Sequence, residues 1–194
     1  MLHLNYKIIL ASGSPRRQQF FKDFDIDFEV RLKEVEEVYP KNLKSTQITA
    51  YLAELKAAAF DGFLAKNELL ITSDTLVWLN DCALGKPKNY DDAFQMLQNL
   101  ANKTHEVITS VCFKTTIKTE TISETTKVTF AHLTDQEITY YLDTYKPFDK
   151  AGAYGIQDWI GLIGIVKIEG SYTNVVGLPT EKVYSYLKKQ ALVF

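Results

Sequence analysis

Arg16 and Arg17 stand immediately after Leu10-Ala11-Ser12-Gly13-Ser14-Pro15. Two guanidinium groups therefore fall in the first turn of the helix that Ser14 and Pro15 open, Ser14 as a cap and Pro15 as a first residue of fixed φ. Helix N-termini already carry partial positive charge, so cations there cost stability unless an anion sits close by. Backbone amides, a glycine that permits close approach, two hydroxyls and two forked cations together suit a polyphosphate. The plainer alternative is that both arginines point to solvent. The segment lacks the Gly-Lys-Ser/Thr ending of a Walker loop and no GxGxxG occurs, which argues against the common kinase and dinucleotide motifs.

A second chemical signal is Asp74, a single carboxylate inside the apolar run Ile71-Thr72-Ser73-Asp74-Thr75-Leu76-Val77. A buried carboxylate without a partner is costly, so Asp74 should face a cleft, a metal or a cation, unless it is a structural turn residue. Lys86, held between Gly85 and Pro87, reads alone as an ordinary turn lysine. Lys56 lies at the edge of an apolar helical stripe, where it can snorkel outward or turn into a cleft. Glu34, Glu36 and Glu37 precede Pro40; such a cluster is usually a solvated loop, but it can lend a carboxylate to a divalent cation. Lys150-Ala151-Gly152-Ala153-Tyr154-Gly155-Ile156-Gln157 is a glycine-rich loop ending in an amide, suited to the edge of a base or sugar, though a plain turn has the same composition. His3, His105 and His132 have no ligand-like spacing and read as structural. Cys82 and Cys112 show no CxxC pattern and read as buried free thiols.

The elements that must hold these groups alternate between strand and helix. Tyr6–Leu10 is a short buried strand running into the helix of Arg16, whose Phe20, Phe21 and Phe24 form the apolar face. Residues 45–64 form a helix with Ile48, Leu52, Leu55 and Ala59 in one stripe. Glu68–Leu79 is the strand of Asp74; Asp91 or Asp92 starts a helix with Ala93, Leu97, Leu100 and Ala101 on one side. His105–Lys118 and Thr121–Phe130 are adjacent strands, the second with Ile122, Thr126, Val128 and Phe130 on one face. Thr134-Asp135-Gln136-Glu137 is a capping box, so a helix runs to about Tyr145, before Pro147. Ile160–Ile168 reads as a strand and Thr180–Gln190 as a closing helix. This order predicts an α/β fold with a mixed sheet flanked by helices.

The 194 residues, 46% hydrophobic and 24% charged, suit one globular domain over 1–194 without linkers or repeats. A net charge of -2 gives no general attraction to nucleic acid or to an anionic membrane, so any anion site must be local. Met1–Leu10 carries one lysine and too short an apolar run for a signal peptide, and no stretch approaches the roughly 18–20 apolar residues of a membrane span. The expected location is the cytoplasm.

Taken in order, LASGSPRR at 10–17, SDTLV at 73–77, GKPKNYDDAFQML at 85–97, KAGAYGIQ at 150–157 and GSYTNVVGLP at 170–179 resemble the Maf family of nucleoside triphosphate pyrophosphatases. The resemblance implies two lobes around a deep nucleotide cleft, as in inosine triphosphatase, commonly as a homodimer. It also implies hydrolysis at the α-phosphate with a divalent cation, magnesium or manganese, with cobalt a further candidate. Matched residue by residue, Ser12, Arg16 and Arg17 lie on the phosphates with Lys56 and Lys86. Asp74 matches the general base, Glu37 the acidic metal-site residue acting with Asp74, and Arg16, Thr75 and Gln157 the positions that sort substrates. A bulky residue for Arg16 and a glutamate for Gln157 mark the subgroup acting on 7-methyl-GTP. This chain resembles the subgroup that acts on dTTP, UTP and modified uridine triphosphates. Ser73 stands where the family commonly has alanine, and Ile108-Thr109-Ser110 where Thr-Gly is usual. Three other readings stay open: a 7-methyl-GTP pyrophosphatase, a broad house-cleaning hydrolase for non-standard triphosphates, and a nucleotide-binding regulator of cell division.

Overall fold

Strand β1 (Lys7–Leu10) is the short apolar run expected at the centre of a sheet, and its last three residues are buried. It pairs in parallel with β2 (Phe28–Val30) on one side and with β3 (Glu68–Leu79) on the other. The computed structural model describes residues 4–191. His3 and the first residues of the N-terminal segment lie outside them. The seven-stranded sheet runs β2-β1-β3-β5-β6-β7, with β5 at Thr104–Lys114, β6 at Thr119–Phe130 and β7 at Ile165–Glu169; β4 (Cys82–Leu84) pairs with β3 off this path. Parallel β1–β3 and antiparallel β3–β4 and β6–β7 pairings make the sheet mixed, as the strand and helix order predicts. Among the described residues no helix is long and apolar enough to cross a membrane.

The chain divides into two compact units, with divisions inside β3, β5 and β6 and after Val176. Among the described residues the first comprises 4–74, 109–124 and 177–191. It contains α1 (Pro15–Asp23), α2 (Thr46–Ala58) and α7 (Thr180–Lys189). Its core joins Ile8, Leu10, Phe21, Leu69, Ile71 and Val111 with Val183 and Leu187 of α7. Phe20 and Phe24 pack against this cluster, so the phenylalanine face of α1 is buried as its spacing requires. On another cluster, Ala53, Ala57 and Phe60 cover Ile9 and Leu70. Helix α2 stops at Ala58, short of the expected 64, because Phe60, Asp61 and Phe63 take turn hydrogen bonds to residues three back.

The second unit comprises residues 75–108 and 125–176. It holds α3 (Tyr90–Leu100), α4 (Asp135–Tyr145), α5 (Trp159–Gly164) and α6 (Tyr172–Val176). Asn89 caps α3 through the Asp92 amide, and Thr134 with Glu137 forms the expected capping box of α4. Asn80 and Asp81, both at positive φ, make the two-residue turn that folds β4 back on β3. Cys82 begins that short strand and is exposed, whereas Cys112 is buried; both are free thiols. The buried reading thus fails for Cys82, which pairs with Leu79 on a three-residue strand with little to cover it. The run Ile160–Ile168 is also not one strand. It begins as α5, with Asp158 in the N-cap position, and extends only from Ile165 as β7. Apolar runs of this length do not distinguish a buried helix turn from a strand.

His105 illustrates what this unit buries. Its ring stacks on Phe130 with centroids 5.6 Å apart, Nε2 lies 2.7 Å from the Tyr154 hydroxyl, and Nδ1 has no hydrogen-bond partner. Burial pulls its pKa from 6.5 down to about 4. Between those values the unfolded chain takes up a proton that the folded protein refuses, so this residue's contribution to stability falls as pH drops. The integrated loss is about 3 kcal/mol. Unfolding free energies of wild type and His105→Gln should therefore converge by about that amount between pH 7.5 and pH 4. A difference independent of pH would mean that His105 is not held neutral.

Candidate active site

In the first unit, the parallel β1 and β3 bring two functional segments side by side within the sheet. Leu10 lies opposite Ile71, and the Ala11 amide continues the pairing to the Ile71 carbonyl at 2.9 Å. Ser12 thus leaves the carboxyl end of β1 beside the stretch of β3 that leads to Asp74, and the end of a parallel strand is where α/β sheets bind their ligands. The Ser12 side chain is buried and accepts from the Ser14 amide at 3.3 Å. Ser14 takes the N-cap position of α1 but makes no side-chain cap, unlike the expected arrangement; its own amide is turned to Ser12 instead. No acidic residue occupies the first turn, which carries Arg16 and Arg17.

Arg17 reaches back across this junction. Its Nε donates to the Gly177 carbonyl at 2.8 Å and its Nη1 to the Ser73 carbonyl at 3.0 Å. The guanidinium therefore ties the start of α1 to the residue preceding Asp74 and to the loop before α7. Burial lowers its proton affinity, the Asp74 carboxylate opposes that effect, and the charge of half-buried Arg16 adds to it. Arg17 and Asp74 thus face one another electrostatically. Neither carbonyl contact has a sequence signal, since every residue offers the same backbone acceptor.

Helix α2 supplies the opposite wall. Thr72 Oγ1 donates to the Ala53 carbonyl at 2.6 Å, pinning β3 to the helix beside Asp74. One turn on, Lys56 Nζ lies 2.7 Å from Asp74 Oδ1 and 3.0 Å from Glu37 Oε1. Lys56 therefore turns inward rather than snorkelling, and Glu37, from the acidic loop, shares its ammonium with Asp74. The Asp74 side chain is 11% exposed and that of Lys56 19%, against 48% for Glu37. Burial raises the Asp74 carboxyl above its ordinary value; Lys56 and then Arg17 pull it down, and Glu37 adds to the rise. A carboxylate so placed is a better proton acceptor than one in water.

Two carboxylate oxygens on one ammonium also form a hard donor pair that a divalent cation can share. Among the described residues no group of three or more His, Cys, Asp or Glu side chains gathers, so further ligands would come from substrate oxygens and water. The donor chemistry fits magnesium or manganese, which are commonly held by one or two carboxylates plus phosphate.

The other expected positions belong to the second unit. Thr75 follows Asp74 on β3 and is half-buried. Lys86 is exposed beyond β4, where the Gly85 carbonyl accepts from the Gly152 amide at 3.0 Å. Gln157 is exposed in a turn after Gly155. Gly152 has φ +68, and a Cβ there would lie 2.9 Å from Val77 Cγ2, so a glycine is required where this loop crosses β3.

A family model described as Maf-like protein matches residues 7–190. The chain is 74% identical over 183 residues to a dTTP/UTP pyrophosphatase of Flavobacterium psychrophilum, covering 94% of each chain. It is 65% identical over 182 residues to a dTTP/UTP pyrophosphatase of Flavobacterium johnsoniae, again covering 94% of each. The Staphylococcus aureus Ham1 protein shares the fold, with a TM-score of 0.54 at 17% identity over 93% of this chain and 99% of that one.

Proposed function

Because this chain belongs to the Maf family, we propose that it hydrolyses nucleoside triphosphates, dTTP and UTP foremost, to the monophosphate and pyrophosphate by attack of water on the α-phosphorus. The observation that carries the proposal is Lys56 Nζ bridging the buried Asp74 carboxylate and the exposed Glu37 carboxylate beside the arginine-bearing start of α1.

Asp74 accepts the proton of the attacking water through a carboxylate made more basic by burial. A new oxygen–phosphorus bond forms at the α-phosphorus as the bridging bond to the β-phosphate breaks, and pyrophosphate departs with the bonding electrons. Ser12, Arg16 and Arg17 bind and orient the phosphates, Lys56 and Lys86 add positive charge, and Arg17 also holds β3 through the Ser73 carbonyl. Glu37 and Asp74 would hold a divalent cation, magnesium or manganese, with cobalt a further candidate; when bound, it neutralises phosphate charge.

Uracil and thymine share their 2-oxo and 4-oxo edge and differ only at C5. The Gln157 amide offers both a donor and an acceptor to such an edge, and Arg16 and Thr75 are assigned to substrate sorting with it. The reading extends, on the family resemblance, to a homodimeric enzyme of the cytoplasm that binds neither nucleic acid nor membrane. A panel of nucleoside triphosphates with magnesium, manganese or cobalt is expected to give pyrophosphate from dTTP and UTP, with GTP cleaved poorly. Preference for 7-methyl-GTP would overturn the assigned substrate class, and orthophosphate as the first product would overturn the reaction.

A further inference from the structure

Gln157 stands on a turn that is braced from beneath by a residue outside all the segments that carry the family resemblance. The Asp158 amide donates to the Gly155 carbonyl at 3.0 Å, closing a four-residue turn in which Ile156 is buried and Gln157 is exposed. Tyr141, fully buried on α4, meets both ends of this turn with one hydroxyl. It donates to Asp158 Oδ2 at 2.7 Å and accepts from the Gly155 amide at 3.0 Å. Asp158 occupies the N-cap position of α5, where aspartate ordinarily bonds the helix amides, yet it makes no side-chain cap there. Its carboxylate is turned to Tyr141 instead. The packing is close: a Cβ on Gly155 would lie 2.6 Å from Asp158 Oδ2 and 3.0 Å from Gln157 Nε2.

We propose that Tyr141 is a positioning residue for nucleobase selection, its hydroxyl fixing the Gly155–Asp158 turn so that the Gln157 amide is presented in one orientation. The inference rests on the assignment of Gln157 to the base. A mobile amide can satisfy the edges of several bases, whereas a fixed one discriminates, because the wrong edge leaves polar groups unpaired. Burial raises the Tyr141 pKa far above its ordinary value, so the hydroxyl keeps its proton at all working pH values.

Tyr141→Phe retains the ring and removes the bonding oxygen. Its kcat/KM for UTP and for GTP should be measured with the divalent cation beside wild type, Gln157→Ala and the double variant. The expected result is a roughly tenfold fall in the UTP-to-GTP ratio, of the size an aligned hydrogen bond contributes. Most of this fall should appear in KM, and Tyr141→Phe should change the ratio no further in a Gln157→Ala background. Asp158→Ala, which removes the acceptor, should reproduce the change and serves if Tyr141→Phe does not fold. A lower melting temperature with an unchanged ratio, or an equal loss on both nucleotides, would overturn the role of Tyr141 alone. An unchanged ratio in Gln157→Ala would overturn the base assignment as well.

Discussion

Asp74→Asn should lower kcat by at least about a hundredfold while nucleotide binding stays within a few-fold of wild type. General base assistance typically contributes about 10²- to 10⁴-fold, and the amide removes basicity with almost no change of shape. The Asn oxygen can still accept from Lys56, which lies 2.7 Å from Asp74 Oδ1, so the local packing has no reason to collapse. The folded protein should lose no stability at neutral pH. Burial makes the ionised Asp74 costly, and a neutral amide avoids that cost. Single-turnover rates and the affinity for a non-hydrolysable triphosphate separate the two effects. Near-normal turnover would remove Asp74 from the proton-accepting role.

Lys56→Met should damage both activity and stability, and the stability defect should shrink toward acid, as when any ionised carboxylate loses its cation. Lys56 is the largest favourable influence on the ionised Asp74, ahead of Arg17. Without it the Asp74 pKa rises further, so the acidic limb of kcat/KM moves to higher pH and less of the base is ionised at pH 7. Stability at neutral pH should fall by about 2–3 kcal/mol, below the 3–5 kcal/mol of a fully buried broken pair because Lys56 keeps some contact with solvent. The sign follows from linkage. A carboxyl whose folded pKa is raised binds its proton more readily in the folded state, so this penalty is fully present above that pKa and fades as pH falls through it. Urea unfolding at pH 8 and pH 5 should therefore show the larger defect at pH 8. A defect that grows toward acid would mean that Lys56 stabilises some other group.

The residue types of this site are legible from local sequence, but their pairings are not. A carboxylate in the apolar run of β3 and two arginines where a helix begins are anomalies of composition, and each marks chemistry by its cost. Element ends set by local hydrogen bonds are equally readable, as with the Thr134–Glu137 capping box and the 68–79 strand. The inward turn of Lys56 is different. It depends on Thr72 holding β3 against the Ala53 carbonyl, a contact between residues 19 apart. Arg17 binds a carbonyl 160 residues away, and a backbone acceptor leaves no mark on residue identity. Tyr141 sits in an apolar helical pattern, so its polar function is hidden by its hydrophobic one. Asp158 precedes a run that reads as a strand by sequence, and only the structure shows that it stands at a helix start with its carboxylate turned to the preceding turn.

The most direct test follows oxygen from water during a single turnover of UTP with magnesium in ¹⁸O-labelled water. Attack at the α-phosphorus places the label in the nucleoside monophosphate and leaves the released pyrophosphate unlabelled. Label found in pyrophosphate, or in orthophosphate released first, would contradict the proposed reaction at this site.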